Sequence, residues 1–599
     1  MFQTFDTPTS PETGPARLAA LRGAMKDARV DGFIVPRADA HQGEYVAEHD
    51  ARLAWLTGFT GSAGFCIALA DVAGVFIDGR YRVQVKDQVA PEVYTPVHWP
   101  ETRPADWLKA HLKGGTVAYD PWLHATGEID TLTRALTGSG IRLKPLENLV
   151  DRVWEDQPSP PAGEIKPYPL QFAGEAHADK RKRLAEGLAN AGHKAAVITL
   201  ADSIAWLLNV RGSDIPRNPV PHAFAILHAD GAVELFTAPA KVTDDLRAHL
   251  GSGVALHDPA HFAARLSALS GPVRIDPVSC PVWVRMQLEA ANIDIAEGQD
   301  PCILPKAAKS EAEIQGTREA HLRDAAAMCR LLAWFDAADK GGMTEIDLVT
   351  ALEGFRAETN SLLDISFDTI CGSGPHGALP HYRVSTDSNR GFEEGDLIVL
   401  DSGGQYFDGT TDITRTLVVG TAGSEEKACF TRVLQGMIAV SRLRFPRGLA
   451  GMHLDAFARR PLWEAGLDYD HGTGHGVGTY LCVHEGPQRL SRISDVPLQP
   501  GMILSNEPGY YREGAFGIRI ENLIVVQPAP ALEGADPRDM LHFETITWVP
   551  IDTSLIDRTL LTRPEVDWIN AYHSACRDKI APRLDGAAAI WLHRATEPI

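Results

Sequence analysis

The sequence predicts an α+β protein in which two related α/β domains precede a larger α+β domain. Three observations indicate this architecture. The chain has 599 residues, too many for one ordinary hydrophobic core. Pro-rich stretches at 156–169 and 300–306 divide it into segments 1–160, 161–305 and 306–599. The first two segments share one order of helix and strand, whereas the third groups its helices and strands separately.

The first two segments are predicted to be copies of one unit. In the first, a helix begins near Arg17, a strand covers 32–35, and Ala-Trp-Leu follows at 54–56. In the second, a helix begins near Arg183, a strand covers 196–199, and Ala-Trp-Leu follows at 205–207. Each piece is common, so a chance match is the alternative. The shared order favours duplication.

The third segment contains two successive groups of helices followed by strands. Ser310 and Glu313 fit a capping box at the start of its first helix. The predicted helices are 311–338, 344–357, 424–441 and 452–465. The predicted strands are 364–371, 396–401, 411–419, 501–507 and 517–527. Because the order repeats, we expect a two-fold pseudo-repeat that brings the two strand groups together at a central seam.

Composition and charge restrict the function class. Lys plus Arg number 57 and Asp plus Glu 78, so the formal net charge is −21 and nucleic-acid binding is not expected. No stretch approaches the roughly 20 apolar residues that span a membrane, and the first residues do not resemble a secretory signal. The eight cysteines form no CxxC pair. Reduced, buried thiols in a cytoplasmic protein are therefore expected.

Four carboxylates interrupt strands that otherwise consist of core residues. Asp401 ends an apolar run, Asp412 follows eleven residues later, and Glu507 and Glu521 lie in the second half. Burying an ionised carboxylate is unfavourable unless it is paired or binds a metal. Any single one of these residues is more often a hydrogen-bonded structural acid. Four together, two from each half, predict a bound cation.

The segment 471–478, His-Gly-Thr-Gly-His-Gly-Val-Gly, adds imidazoles between the two carboxylate pairs. A glycine-rich phosphate loop is the alternative, but the segment lacks the P-loop lysine and the GxGxxG spacing. Carboxylates with one imidazole suit Mn²⁺, Co²⁺ or Zn²⁺. A catalytic zinc normally has three protein ligands. Four carboxylates and a histidine therefore predict two neighbouring ions.

The five residues, in this order and context, resemble the metallopeptidases of the pita-bread fold, and within them the three-domain aminopeptidase P (Xaa-Pro aminopeptidase) family. The five residues are Asp401, Asp412, His475, Glu507 and Glu521. Further matching motifs lie at 39–45, 58–64, 78–81, 366–370, 401–406, 484–487 and 567–573. The resemblance covers essentially the whole chain. It implies two creatinase-N-like α/β domains before a pita-bread catalytic domain with a C-terminal extension at about 545–599.

The resemblance also implies a reaction and its metal ligands. The family hydrolyses the N-terminal Xaa-Pro peptide bond with a hydroxide that bridges two divalent ions, Mn²⁺ here, with Co²⁺ or Zn²⁺ as alternatives. Asp401 would bind one ion, and His475 the other together with Glu507. Asp412 and Glu521 would bridge both. Glu507 would also be the general base.

Other residues of the site follow from the same resemblance. His381 and His484 would stabilise the substrate and the oxyanion, and His471 would lie in the active-site wall. The pocket for proline would be formed by Phe367, Val483 and Arg519. Pro380 replaces the family's usual apolar residue before His381, which affects how that imidazole is aimed.

Four nearby residues have non-catalytic interpretations. His376 and His453 are interpreted as structural, and Asp408 as part of a turn between two ligands. Arg519 alternates onto the same strand face as Glu521. This placement favours a role for Arg519 in the site; a salt bridge that orients the Glu521 carboxylate is the alternative, and the two roles are compatible.

The resemblance implies peptide substrates with proline at the second position and a homodimer formed through the C-terminal domain. A prolidase, which cleaves only Xaa-Pro dipeptides, is the main rival, but it normally has one front domain. A methionine aminopeptidase lacks these front domains. A non-catalytic pita-bread protein would have lost metal ligands, and all five are present here.

Overall fold

The computed structural model describes residues 1–7 and 9–599 of the chain. It divides into two compact units. The front unit comprises residues 9–306, and the rear unit comprises residues 1–7 with 307–599. The short N-terminal segment of the rear unit is fixed there by Gln3, whose side-chain oxygen accepts a 2.8 Å hydrogen bond from the Thr369 N–H.

The front unit contains two six-stranded sheets flanked by helices. Its helices are α1 (Gly14–Asp27), α2 (Arg52–Thr57), α3 (Gln84–Gln88), α4 (Pro104–His111), α5 (Thr126–Ala135), α6 (Leu170–Ala173), α7 (His177–Asn190), α8 (Ala201–Leu208), α9 (Asp244–Leu250), α10 (Phe262–Ser267), α11 (Val282–Ala290) and α12 (Ile303–Ala307), the last ending one residue into the rear unit. The strands of the first half are β1 (Gly32–Pro36), β2 (Phe65–Leu69), β3 (Ala73–Ile77), β4 (Thr95–His98), β5 (Gly115–Tyr119) and β6 (Ile141–Pro145). Those of the second half are β7 (Lys166–Pro167), β8 (Ala195–Ile198), β9 (Val210–Arg211), β10 (Phe224–His228), β11 (Val233–Phe236), β12 (Val254–His257), β13 (Val273–Ile275) and β14 (Ile295–Glu297).

The two sheets have the same topology. The strand orders are β4-β3-β2-β1-β5-β6 and β12-β11-β10-β8-β13-β14. Strand β1 pairs antiparallel with β2 and parallel with β5. Strand β8 pairs antiparallel with β10 and parallel with β13 in the same way. The matching order and direction confirm the predicted duplication.

The rear unit packs long helices against short, mostly antiparallel strands. Its helices are α13 (Glu311–Ala337), α14 (Glu345–Ala357), α15 (Ser424–Ser441), α16 (Gly451–Trp463), α17 (Arg563–Ile580) and α18 (Gly586–Ala595). Its strands are β15 (Asp364–Ile365), β16 (Ile370–Ser373), β17 (Leu397–Ser402), β18 (Gly404–Tyr406), β19 (Gly409–Thr410), β20 (Ile413–Val418), β21 (Arg444–Pro446), β22 (Gly474–Gly476), β23 (Glu485–Leu490), β24 (Ile503–Asn506), β25 (Gly509–Arg512), β26 (Phe516–Arg519), β27 (Asn522–Pro528) and β28 (Met540–Thr545).

Helix α13 begins where its capping signal predicts. The Ser310 hydroxyl accepts from the Glu313 N–H, and the Glu313 carboxylate accepts from the Ser310 N–H. Such a cap satisfies two of the backbone donors that a helix start leaves without intrahelical partners. The apolar stripe of this helix is buried in the rear core with Met328, Leu331 and Phe335.

Two predicted strands are shorter than expected because each is interrupted. The strand predicted at 364–371 is two strands, β15 and β16, separated by residues 366–369. The strand predicted at 517–527 is also two, and Glu521 lies between β26 and β27. In a continuous strand, Glu521 and Asn522 would lie on opposite faces. At the break, the Glu521 N–H instead donates to the Thr414 carbonyl of β20 at 3.1 Å.

Arg415 in β20 connects the C-terminal region to these strands. Its fully buried guanidinium donates to the Glu521 carbonyl at 2.6 Å, to the Val549 carbonyl at 2.7 Å and to the Tyr572 hydroxyl at 2.9 Å. Helix α17, which carries Tyr572, is thereby attached to the same strands as the predicted metal ligands.

All eight cysteines are buried, as the sequence predicts. Three lie in the front unit (Cys66, Cys280 and Cys302) and five in the rear unit (Cys329, Cys371, Cys429, Cys482 and Cys576). Among the residues that the structure describes, no helix is both long and apolar enough to cross a membrane.

Candidate metal centre

The predicted carboxylates meet at a seam between the two strand groups of the rear unit. Asp401 lies near the end of β17, where it pairs in register with Thr414 of β20. Asp412 immediately precedes β20, and Glu521 follows β26. The Arg519 carbonyl at the end of β26 accepts a 2.9 Å hydrogen bond from the Thr416 hydroxyl of β20. This contact joins the two groups.

His475 is aimed at the carboxylates by the backbone of the next residue. Its Nδ1 contacts the Gly476 carbonyl at 2.9 Å, an arrangement that fixes the imidazole plane. Its Nε2 lies 3.4 Å from Asp412 Oδ2 and 3.3 Å from Glu507 Oε1. Ligand atoms of Asp412, His475 and Glu521 all lie within 4.8 Å of one another.

The donor set fits divalent cations. Asp401 Oδ1 and Glu521 Oε1 are buried and accept no hydrogen bond from any described residue. Buried carboxylate oxygens without partners are costly in a folded protein. A cation at this position would satisfy both oxygens. The hard and borderline donors, oxygen and imidazole nitrogen, are those preferred by Mn²⁺, Co²⁺ and Zn²⁺.

Burial and the closely spaced charges shift the pKa values of the cluster. Burial, followed by the neighbouring carboxylates, raises the pKa of Glu521 well above its usual value, and burial raises the pKa of Asp401 and Glu507. Burial alone would lower the pKa of His475, but Asp412 and Glu507 outweigh it and raise that pKa to about 9. Without a cation, these raised pKa values favour the protonated forms of the carboxyl groups and of His475. A bound cation would displace those protons.

Hydroxyl groups orient the carboxylates from outside the cluster. The Thr414 hydroxyl donates to Glu521 Oε2 at 2.9 Å, and the Ser505 hydroxyl donates to Glu507 Oε1 at 3.1 Å. Neither residue is among those predicted from the sequence. Their signal is positional, since each lies two residues from a candidate ligand and a period of two places such residues on one face of a strand.

Arg519 contacts a different carboxylate from the one the salt-bridge alternative names. Its Nη2 donates to Asp401 Oδ2 at 2.6 Å, and its Nη1 donates to the Tyr511 hydroxyl at 2.6 Å. Its Nε donates to the Thr414 hydroxyl at 3.2 Å, and that hydroxyl donates to Glu521 Oε2 at 2.9 Å. Arg519 therefore pairs directly with Asp401 and reaches Glu521 through Thr414. Tyr511, which also contacts His471 Nε2 at 2.9 Å, gives no signal in the sequence.

The remaining predicted residues lie on the surrounding elements. The His484 ring is 4.3 Å from that of His475, centroid to centroid, and nearly perpendicular to it. Val483 is fully buried and Phe367 half-buried. His381 is half-buried on the loop after a short helical turn, Gly374–Ala378. The Gly377 and Gly517 backbones are in contact, so this turn packs against β26.

Two residues interpreted as non-ligands have other partners. Asp408 pairs with the Arg323 guanidinium at 2.8 Å. His376 Nδ1 lies 2.9 Å from the carboxylate of Glu345, a fully buried residue. Both contacts are structural.

Comparisons with known proteins agree over nearly the whole chain. Residues 315–528 match metallopeptidase family M24, and 539–599 match the C-terminal region of peptidase M24. Residues 17–153 and 156–313 each match the creatinase/prolidase N-terminal domain.

Relatives of high coverage carry one activity in their names. Aminopeptidase P2 of Arabidopsis thaliana is 39% identical over 97% of this chain and 88% of its own length. The probable Xaa-Pro aminopeptidase P of Laccaria bicolor is 40% identical over 97% of this chain and 93% of its own. Among solved structures, X-prolyl aminopeptidase from Caenorhabditis elegans, described as a cytosolic enzyme with a di-nuclear active site, has a TM-score of 0.93 and 32% identity. It covers 98% of this chain, and the match covers 100% of the nematode chain.

Another solved structure matches only part of the chain. An Xaa-Pro dipeptidase from Bacillus anthracis matches 63% of this chain at 25% identity with a TM-score of 0.51. The full-length matches, the two front domains and the seam of carboxylates together identify the chain as a member of the aminopeptidase P family of metallopeptidases, with an M24 pita-bread domain behind two creatinase-type N-terminal domains.

Proposed function

We propose that this chain removes the first residue from peptides whose second residue is proline, using two divalent ions. One observation carries the proposal: a buried cluster of four carboxylates and one imidazole in which Asp401 Oδ1 and Glu521 Oε1 have no hydrogen bond from the described residues. The name of the nematode relative, which includes a di-nuclear active site, supports two ions at this seam.

Five residues would hold the ions. Asp401 would hold one ion and His475 with Glu507 the other, while Asp412 and Glu521 would contribute to both. The 3.3–3.4 Å separations of His475 Nε2 from Asp412 and Glu507 support this assignment. Ligands about 2.0–2.1 Å from a shared ion would lie at such separations from one another. We propose Mn²⁺ as the ion, because carboxylate-rich sites suit it.

The protein residues supply orientation and proton transfer around the ions. When bound, two divalent cations lower the pKa of a coordinated water and polarise a carbonyl. Glu507 is proposed as the general base, because its Oε1 lies 3.3 Å from Nε2 of His475, a proposed ligand, and so within reach of a water held there. Arg519 holds Asp401 through a 2.6 Å contact and so keeps one ligand in place.

Three histidines are proposed to act on the substrate. His381 and His484 donate to the substrate carbonyl and to the oxyanion that develops from it. The perpendicular packing of His484 on His475 supports its position beside the ions. His471 lines the site wall and is oriented by Tyr511.

Proline selectivity requires a pocket, because the peptide bond before proline has no N–H that the enzyme could hydrogen-bond. We propose that Phe367, Val483 and Arg519 form this pocket. Val483 is an apolar residue directly before His484, and Arg519 lies on the strand that leads to Glu521.

Further proposals concern the whole chain. We propose three domains (1–160, 161–305 and 306–599, the last with an extension from about 545), a cytoplasmic location and a homodimer formed through the C-terminal domain. The description of the nematode relative as cytosolic supports the location. Met452, Phe457 and Trp463 support the dimer, since each is 45–47% exposed on α16 and exposed apolar groups mark interfaces.

The decisive experiment uses metal-stripped protein re-dosed with Mn²⁺, Co²⁺ or Zn²⁺. Release of the first residue is followed with an Xaa-Pro-Pro tripeptide, an Xaa-Pro dipeptide and an Xaa-Ala-Pro control. We expect metal-dependent cleavage of the tripeptide and no cleavage of the alanine control. Cleavage of the dipeptide alone would identify a prolidase, and inactivity with all three metals would contradict the proposal.

A further inference from the structure

A second cluster of ligand-type side chains lies in the front unit. It consists of Asp39 after β1, Asp50 in the short helical turn Glu48–Asp50, and His222 before β10. Ligand atoms from these three residues lie within 4.8 Å of one another. We call these three residues the front cluster. They come from three separate segments, two in the first front domain and one in the second.

Asp39 directs one oxygen into the front cluster and uses the other to hold its own loop. The side chain is 1% exposed. Its Oδ1 accepts from the His41 N–H at 2.9 Å and from the Gly43 N–H at 3.2 Å. Its Oδ2 is buried and receives no well-formed hydrogen bond from the described residues. This second oxygen is therefore oriented, and its polar neighbour is His222 Nε2 at 3.2 Å.

His222 faces that oxygen. Its Nε2 lies 3.2 Å from Asp39 Oδ2, is buried, and has no well-formed hydrogen bond within the described chain. Its backbone N–H donates to Asp214 at 2.6 Å, and its ring packs on His41 with the centroids 4.5 Å apart. The imidazole is thus held from two sides with Nε2 pointing at the carboxylate.

Asp50 completes the cluster with one oxygen already engaged. Its Oδ1 accepts from Arg52 Nη1 at 2.8 Å. The same guanidinium donates to Asp151 at 2.6 and 3.0 Å, so its single charge is shared by two carboxylates. Asp39, Asp50 and Asp151 with the Arg52 guanidinium sum to a charge of −2 when His222 is neutral. Arg37, which also interacts with Asp39, offsets part of this charge, and the remainder is negative. A divalent cation would neutralise it.

The spacing within the front cluster resembles that at the catalytic seam. For a tetrahedral ion with ligands at about 2.0–2.1 Å, neighbouring ligand atoms lie about 3.3 Å apart. Asp39 Oδ2 and His222 Nε2 are 3.2 Å apart. At the seam, His475 Nε2 is 3.4 Å from Asp412 and 3.3 Å from Glu507.

We propose that the front cluster binds one additional divalent cation of the Zn²⁺ class through Asp39 Oδ2, His222 Nε2 and a carboxylate oxygen of Asp50. Three protein ligands of nitrogen and oxygen type suit Zn²⁺, with water in the fourth position. The ion would join the two front domains, since its ligands come from both. This inference does not depend on the proposed peptidase reaction.

The competing explanation is an ion pair held by a proton. A protonated His222 would pair with Asp39 across the same 3.2 Å and need no metal. The two explanations differ in metal content, because the ion pair binds no Zn²⁺. They also differ in the role of Asp50, which the ion pair does not require.

The test uses the full chain with the seam disabled by Asp412→Asn, His475→Phe and Glu521→Gln, which leaves fewer than three of the candidate ligands there. After stripping and dialysis against Zn²⁺, we expect about one ion per chain, and adding His222→Phe should remove it. Asp50→Asn should weaken binding at least tenfold. Because Asn has nearly the same size as Asp, this variant still tests the site if His222→Phe misfolds. The control His261→Phe, at an exposed position of the front unit, should keep the ion.

A spectroscopic readout ties the ion to its ligands. Co²⁺ in the same background should give a visible absorption band that is lost with His222→Phe and kept with His261→Phe. Absence of bound Zn²⁺ in the background protein would overturn the proposal. So would retention of the ion by folded protein that carries both His222→Phe and Asp50→Asn.

Discussion

Arg519 shows how single residues organise the seam. One guanidinium contacts both Asp401 and Tyr511 at 2.6 Å, and Tyr511 in turn contacts His471 at 2.9 Å. A candidate ligand and a candidate site-wall histidine are therefore joined by two shared side chains. Arg suits this role because its donors form a rigid, permanently charged fork.

Asp412 and Asp408 offer a matched pair of substitutions on one turn. Asp412→Asn removes a bridging charge, so we expect activity to fall by at least about a thousandfold and bound metal to decrease. Asp408→Asn disturbs only the pair with Arg323, and it should retain most activity and all of the metal. Hydrolysis rates and metal content per chain measure both effects. Equal activities of the two variants would refute the assignment of Asp412.

The buried His573 should make the stability of the protein depend on pH. The imidazole is fully buried and accepts from the Ile551 N–H at 3.1 Å. Burial, aided by Arg415 and Arg577, lowers its pKa to about 4. Protonation therefore favours the unfolded chain, whose histidine has a pKa of about 6.5. This stabilisation is complete above pH ~6.5 and is lost as the pH falls towards 4.

Thermal unfolding between pH 7.5 and 5 tests this expectation. His573 should contribute a loss of about 2 kcal/mol over that range, so His573→Gln should melt lower at pH 7.5 but depend less on pH. His593→Gln, at an exposed position on α18, should leave the wild-type pH profile unchanged. A profile for His573→Gln as steep as that of the wild type would contradict the prediction.

At the scale of elements, one buried carboxylate fixes the loop that carries His381. Glu345 at the start of α14 accepts from the Ser373 N–H at 2.8 Å and from the Tyr382 hydroxyl at 3.0 Å. It also accepts from the Arg390 N–H at 3.3 Å. These donors lie on both sides of His381 in the sequence. The carboxylate therefore constrains the loop at both ends.

Glu345→Gln should loosen this loop without removing a candidate ligand. The amide replaces an acceptor oxygen by a donor, so at least one buried hydrogen bond is lost, at about 1–3 kcal/mol. Because small misplacements of positioning groups are costly, we expect kcat/KM to fall by roughly 10- to 100-fold with metal content unchanged. Asp347→Asn, at the exposed cap of the same helix, is the control. Unaltered stability and kinetics of Glu345→Gln would count against this role.

The sequence predicts elements well where one period persists and poorly where a strand is interrupted. The bounds of α13, α14 and α15 lie within one residue of expectation because caps and apolar stripes mark them. The interruption before Glu521 has no local signal, since it follows from contacts with β20, about a hundred residues earlier. The five candidate ligands are visible as acids and a histidine within core strands. Tyr511 is not, because its role depends on residues that meet only in the fold.

At the scale of the whole molecule, the front unit is expected to fold alone. Residues 9–306 form a compact unit with two complete sheets. Near the end of the unit, Lys306 pairs with Asp202 at 2.7 Å, and the Asp300 N–H donates to Asp276 at 2.8 Å. The last residues therefore belong to the front core.

Calorimetry of fragments tests this independence. Fragment 9–306 should unfold cooperatively without peptidase activity, near the temperature of one transition of the full chain. Fragment 9–298 lacks the Lys306 and Asp300 contacts and should melt several degrees lower. A disordered 9–306 fragment, judged by circular dichroism, would show that the front unit requires the rest of the chain.

The burial of every cysteine gives the molecule a built-in reporter of its own opening. A thiol reagent can modify a buried cysteine only when the surrounding structure opens, so the labelling rate at each cysteine measures local opening. Three of these thiols report on the front unit and five on the rear unit. Mass spectrometry of labelled peptides would therefore time the opening of each unit separately in one unmodified protein. A cation that stabilises one unit would slow labelling only at the cysteines of that unit.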